Sequence, residues 1–211
     1  MMKDAQRTGV YGASGTGKSH YVKQLIRPER RLVVFDVLDE YRDLRRVDLN
    51  GVLAAASASY RDFRVRYCPP VGAEGDALSR LCDVLKVIQE PYKQEQSGAP
   101  ELTLVVEELN VAFPVHGGEA RARGFAEICS RGRHWGVNVL GVSQRIAEVS
   151  PRFRGNMSEV VIFMQLEPID ITRAKAALGR SVPVEEIEEL QPREYIRRTG
   201  FSIDRKKNAE A

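Results

Sequence analysis

Gly12-Ala13-Ser14-Gly15-Thr16-Gly17-Lys18-Ser19 fills every signature position of the pattern G-x-x-x-x-G-K-[ST]. Thr8 to Tyr11 reads as a short strand running into it, and Ser19 to Ile26 as a helix leaving it, stopped by Pro28. Gly12, Gly15 and Gly17 let the backbone curl so that its N–H groups face inward, forming an anion nest at a helix N-terminus. A triphosphate held in such a nest brings its β- and γ-phosphates to Lys18, and the Ser19 hydroxyl is placed to ligate Mg²⁺. The expected ligands are therefore ATP and Mg²⁺, with Ala13, Ser14 and Thr16 contributing backbone to the cradle.

Outward from the loop, strands and helices alternate. Leu32-Val33-Val34-Phe35, Leu102 to Val106, Val137 to Val142 and Val160 to Met164 are apolar runs that suit parallel strands covered on both faces. Phe63, Val65 and Tyr67 alternate with Arg64, Arg66 and Cys68, the pattern of a strand with one wetter face. Residues 75 to 90 carry Leu78, Leu81, Cys82, Leu85 and Ile88 at helical spacing. Helices are also expected over Asn50 to Ser59, Glu119 to Ser130 and Ile169 to Leu178. Gln94 to Pro100 and Phe113 to Gly118 read as loops, Glu194 to Ile203 as a hairpin turning at Gly200, and Arg205 to Ala211 as a frayed tail. The pattern predicts an α/β fold of three layers with a mostly parallel central sheet: one domain over residues 1 to 204, then a flexible tail over 205 to 211.

Composition bounds the rest. The 211 residues are 43% hydrophobic and 29% charged, with a net charge of +3, an ordinary globular balance that does not by itself identify a nucleic-acid binder. No stretch approaches the roughly 18 uninterrupted apolar residues of a membrane span, and the N-terminus lacks the apolar core of a signal peptide, so membrane insertion and a leader are not expected. Cys68, Cys82 and Cys129 lack metal-type spacing and read as buried thiols in a reducing compartment.

The candidate chemistry sits where strands end. Asp36 follows one strand directly, with Asp39, Glu40 and Tyr41 close behind, at the edge where open α/β sheets put their sites. Glu107 and Glu108 follow Leu104-Val105-Val106; one acid there can hold Mg²⁺ through water opposite Ser19, while the other polarises the water that attacks the γ-phosphate. Gln144 ends the next strand, where a neutral amide can sense the γ-phosphate or orient that water. Arg131-Gly132-Arg133-His134-Trp135 has two readings: a basic helix end satisfying the macrodipole, or an arginine finger reaching a neighbour's nucleotide. His134 reads as structural and Trp135 as core or interface packing. Arg121, Arg123, Arg152 and Arg154 flank two glycine-containing loops, either as solvated charge or as contacts to DNA phosphates.

Taken together, Gly12 to Ser19, Val34-Phe35-Asp36 with Glu40-Tyr41, Val105-Val106-Glu107-Glu108, and Gly132-Arg133-His134-Trp135-Gly136-Val137 running into Val142-Ser143-Gln144-Arg145 resemble the HerA/FtsK superfamily of DNA-pumping ATPases. Within it the sequence looks most like the small genome-packaging ATPases of viruses with an internal membrane and double-jelly-roll capsids. The resemblance covers about residues 8 to 166. It implies a RecA-like core of the ASCE type, with the Gln144 strand between the phosphate-loop strand and the Glu107 strand, and a homo-oligomeric ring of five or six subunits around double-stranded DNA. It also implies that Lys18 and Ser19 serve nucleotide and Mg²⁺, Glu107 the Mg²⁺ side, Glu108 catalysis and Gln144 sensing. One departure stands out: the family's metal-side acid is usually Asp, and here it is Glu107.

The implied activity is ATP hydrolysis that drives viral DNA into a preformed capsid. The expected location is the host cytoplasm, at a capsid vertex with portal-like proteins, or in the virion. A related DNA helicase, a filamentous-phage assembly ATPase and a small-molecule kinase are the rival readings; a kinase would need a lid and an acceptor pocket but not Glu108 and Gln144 to handle water.

Overall fold

Aliphatic and β-branched runs buried on both sides form the middle of the sheet, and charged, shorter strands form its edges. The computed structural model describes residues 6–96 and 98–207. Its strands are β1 (Arg7–Tyr11), β2 (Arg31–Phe35), β3 (Arg45–Arg46), β4 (Phe63–Tyr67), β5 (Leu102–Val106), β6 (Val137–Ser143), β7 (Glu159–Phe163), β8 (Glu194–Thr199) and β9 (Ser202–Lys207). They join into one nine-stranded sheet in the order β3-β4-β2-β5-β6-β1-β7-β8-β9. Pairing is parallel from β3 to β7, and β8 and β9 are added antiparallel.

The connections are α1 (Lys18–Leu25), α2 (Leu49–Ala58), α3 (Glu74–Ile88), α4 (Glu90–Lys93), α5 (Leu109–Ala112), α6 (Gly118–Arg121), α7 (Arg123–Arg131), α8 (Pro151–Arg154), α9 (Pro168–Leu178) and α10 (Val184–Glu188). They cover both faces, as parallel crossovers require. On one face, Leu81 and Cys82 of α3, Phe125 and Ile128 of α7 and Ala174 and Leu178 of α9 close over Val33, Leu104 and Val139. On the other, Tyr21 and Val22 of α1 and Tyr41 close over Val10, Val34, Val105 and Phe163. Tyr21 meets the rings of Tyr195 and Phe163 edge-on, with centroids 5.0 and 5.8 Å away, and pins α1 to the strand pair beside its own.

Register decides what meets at the upper edge. Val106 pairs with Gly141, and Ser143, two residues further along β6, pairs with Tyr11. The carboxyl ends of β5, β6 and β1 are therefore neighbours, and β6 lies between the other two, as expected.

The short helices α5, α8 and α10 went unanticipated, and four further details differ from the reading of the sequence. The helix expected over 119–130 is two pieces, α6 and α7, broken at Ala122, whose backbone leaves the helical region (φ −102°, ψ 55°). The expected 75–90 helix ends at Ile88, and α4 starts anew with Pro91 in its first turn, where a missing N–H costs nothing. β3, only Arg45 and Arg46, carries no apolar pattern and went unanticipated. The frayed tail expected from Arg205 is ordered as β9 through Lys207: Ile196 opposes Arg205 and Glu194 opposes Lys207. Its charges suit an edge strand exposed to water. The remaining tail, residues 208–211, and Ser97 of the 94–100 loop lie outside the described residues.

Candidate nucleotide site

The phosphate-loop sequence joins β1 to α1, with Gly15 and Gly17 at φ 74° and 102°. Side chains are disfavoured at those angles, and the two glycines give the turn that points the first helical N–H groups into the loop. The loop is tied to both neighbouring strands: Ala13 N–H donates to the Met164 carbonyl at 2.9 Å and Gly12 N–H to that of Ser143 at 3.4 Å. A third tie comes from the Arg193 N–H, which donates to the Thr16 carbonyl at 2.9 Å. Lys18 is buried, and its ammonium donates to the Ala13 carbonyl at 2.8 Å, inside the cradle. Burial lowers its pKa; the carboxylates of Glu108, Glu107 and Glu40 oppose that shift.

Glu107 and Glu108, adjacent in sequence, occupy different environments. Glu107 is 5% exposed, and the Tyr41 hydroxyl donates to its Oε1. Burial raises its pKa to about 7, with the Tyr41 bond pulling the other way and Glu40, Glu108 and Asp36 adding to the rise. Glu108 is half-buried and adopts a left-handed backbone (φ 46°, ψ 52°) at the entry to α5. Such a conformation costs a non-glycine residue on the order of 1 kcal/mol. Its Oε1 accepts a 2.9 Å bond from the Gln144 amide. The second acid and the polar end of β6 are thus in direct contact.

Gln144 is flanked by further polar contacts. The Ser143 hydroxyl donates to Asn110 Oδ1 at 2.8 Å, and Arg145 pairs with buried Asp170 of α9. A cleft of about 260 Å³ opens beside the loop, lined by Ala13, Ser14, Gln144, Arg145, Gln165 and Asp170.

Three side chains named in the sequence without a role belong to this edge. Asp36, fully buried at the end of β2, accepts the N–H groups of Glu40 and Tyr41 at 2.9 and 3.0 Å, and Arg66 at 3.2 Å. The turn this closes carries Glu40 Oε2 to 3.2 Å from the Ser19 hydroxyl and the Tyr41 hydroxyl to Glu107. A carboxylate directly after a buried strand and four residues before an acid and a tyrosine was the available signal. The cysteine reading needs one correction. Cys82 and Cys129 are buried, but Cys68 is only half-buried: its thiol donates to Asp39 at 3.6 Å and accepts from the Arg66 guanidinium, which supplies the positive charge between Asp36 and Asp39.

The arginines separate into two groups. Arg131, the last residue of α7, and Arg133, in the turn before β6, are exposed at the opposite edge of the sheet. The length of β6, about 20 Å, lies between them and their own phosphate loop. Among the described residues neither guanidinium has a hydrogen-bond or ion-pair partner. Trp135 in the same turn is buried, with the Lys93 and Lys86 ammonium groups 5.4 and 5.9 Å from its ring centre. Arg121 and Arg123 are exposed at the α6–α7 break. Arg152 and Arg154 are engaged within the chain: Arg152 pairs with Glu119 at 2.7 Å and donates to Ser130 at 3.0 Å, and Arg154 donates to the Val149 carbonyl at 2.9 Å.

No family model and no curated protein matches this chain. Solved structures do. The genome-packaging NTPase B204 of Sulfolobus turreted icosahedral virus 2, in complex with ATP-gammaS, superposes with a TM-score of 0.78 at 14% identity, over 99% of this chain and 100% of that one. B204, the DNA-packaging ATPase from Sulfolobus turreted icosahedral virus, gives 0.75 at 15% identity over the whole of both chains. VirB4 of Thermoanaerobacter pseudethanolicus gives 0.63 at 10% identity, over 97% of this chain and 90% of that one. At these identities the likeness is one of fold: an α/β sheet, mostly parallel, shared with P-loop ATPases. No helix among the described residues is long and apolar enough to cross a membrane.

Proposed function

We propose that this chain is an ATPase that drives double-stranded DNA into a preformed viral capsid, working as a ring of five or six copies. The observation that carries the reading is the gathering of the glycine loop, Glu107-Glu108 and Gln144 at the ends of three adjacent parallel strands, with Gln144 bonded to Glu108. The full-length likeness to a packaging ATPase supports it.

Phosphoryl transfer to water asks the protein mainly for positioning and charge neutralisation. The loop N–H groups and Lys18 hold the phosphates. The carboxylate of Glu108 polarises the attacking water, and the Gln144 amide, bonded to Glu108 and lining the cleft beside Ala13 and Ser14, orients it. The residues present fit Mg²⁺: a serine hydroxyl at the start of α1 faces a carboxylate, with a second, buried carboxyl beyond it. Ser19 would hold the ion and Glu107 would reach it through water; the ion would supply charge neutralisation at the phosphates. Arg133, with Arg131 in reserve, serves the site of the neighbouring subunit, since its own site is a strand length away. Arg121 and Arg123 hold DNA phosphates. Arg152 and Arg154, already engaged within the chain, contribute less. The ring sits on a capsid vertex or portal-like partner, from the host cytoplasm or within the virion.

ATP turnover measured with and without double-stranded DNA tests the reading. DNA-stimulated hydrolysis that Lys18→Ala abolishes is expected. DNA-independent transfer of phosphate to a nucleoside would overturn it.

A further inference from the structure

The hydroxyl of Ser19 is the group of the loop suited to a cation, and the carboxylate beside it is Glu40, at 3.2 Å, not Glu107. Glu107 has one oxygen taken by the Tyr41 hydroxyl and is almost fully buried. Glu40 is exposed to solvent on the loop side, where a hydrated ion can approach. Its backbone is fixed at both ends: its N–H donates to Asp36 at 2.9 Å, and its carbonyl accepts the Lys23 ammonium of α1 at 3.0 Å. Asp39, one residue earlier, takes a left-handed backbone (φ 57°) and is held there by Arg66 and Arg42. A turn built with this many fixed points delivers one flexible carboxylate to one hydroxyl.

Mg²⁺ bound with a nucleotide keeps several waters and takes one or two carboxylates besides the phosphates. We propose that Glu40 supplies the carboxylate facing the cation beside Ser19, and that the Asp36 turn holds it there. Glu107, fastened by Tyr41, then backs the site from within. The long side chain of Glu107 is held by Tyr41, and a second carboxylate arrives from the loop after β2. The proposal rests on the nucleotide site proposed above and adds a residue to it.

The test is a magnesium titration of the binding of a fluorescent, non-hydrolysable ATP analogue to wild type and to Glu40→Gln, a change at an exposed position that leaves the turn's backbone bonds intact. The half-saturating Mg²⁺ concentration should rise about tenfold or more in the variant, the scale on which groups around a metal site act. Affinity for the analogue in EDTA should stay the same or improve, because a carboxylate that repels the phosphates has gone. With Mn²⁺ as probe, the paramagnetic signal of the bound ion should weaken in parallel. An unchanged magnesium titration would overturn the inference, and so would an equal loss of affinity with and without the ion, which marks a structural role. A wild type that fails to bind the analogue at any magnesium concentration would overturn the nucleotide site itself, a distinguishable result.

Discussion

At the upper edge of the sheet the acidic and amide groups are held by partners; at the lower edge two arginines are held by none of the described residues. Glu107 rests on Tyr41, Glu108 on Gln144, Glu40 on Ser19 and Asp36 on Arg66. Arg131 and Arg133 stand in solvent, among the described residues without a hydrogen-bond or ion-pair partner. Charged groups that do their work within one chain can be matched within it. A group whose counterpart is carried by another molecule must be left open on the surface. Arg45, Arg46 and Arg61 are exposed in the same way, so the assignment of Arg133 to a neighbour's site rests on the variants below.

The sharpest way to break the comparison is at the upper edge. Glu108→Gln should retain ATP binding and lower turnover by several orders of magnitude, since an amide cannot accept the proton of the attacking water. If Glu107→Gln does this and Glu108→Gln does not, the roles of the two acids are reversed. Arg133→Ala comes next. It should lower turnover of the assembled protein on the order of a thousandfold while leaving the slow turnover of separated subunits unchanged, and dilution below the assembly concentration separates the two.

A smaller effect tests how Glu107 is held. Its folded pKa of about 7 lies above the ordinary 4.5, because burial disfavours the ionised form. The contribution of this carboxyl to folding is therefore complete below pH 4.5 and is lost as pH rises through about 7, a change of about 3 kcal/mol. In magnesium-free denaturant unfolding, wild type should lose that stability relative to Glu107→Gln between pH 4.5 and 8; parallel pH profiles would mean that folding leaves the carboxyl's pKa unshifted. The smallest effect concerns DNA. Replacing Arg121 and Arg123 together should weaken binding to all sequences alike and reduce the salt slope by about two units. Retention of the full slope would remove both from the interface.

The upper edge was legible in sequence to different depths. The loop announced itself, because its geometry demands glycine, lysine and serine at fixed spacing. The four apolar strands did too, and they carried Glu107, Glu108 and Gln144 to one edge. Asp36, Glu40 and Tyr41 were visible as residues but not as a device. Their roles depend on a turn closed by side-chain-to-backbone bonds, which no periodicity encodes. The break at Ala122 and the two-residue β3 are set by tertiary contacts. The hairpin at Gly200 was legible, but the end of β9 was read as a tail because Arg205-Lys206-Lys207 is charged throughout, as an edge strand in water can be.

Whether the two edges meet between subunits is decided by mixing. An Arg133→Ala subunit keeps an intact phosphate loop, and a Lys18→Ala subunit keeps an intact arginine; each alone should be nearly inactive in assembled form. Combined, they should regain ATP turnover at the interfaces where an intact arginine faces an intact loop, in an amount that follows the mixing ratio. Mixed assemblies of normal size that recover nothing, beside a wild type fully active as a monomer, would contradict the account.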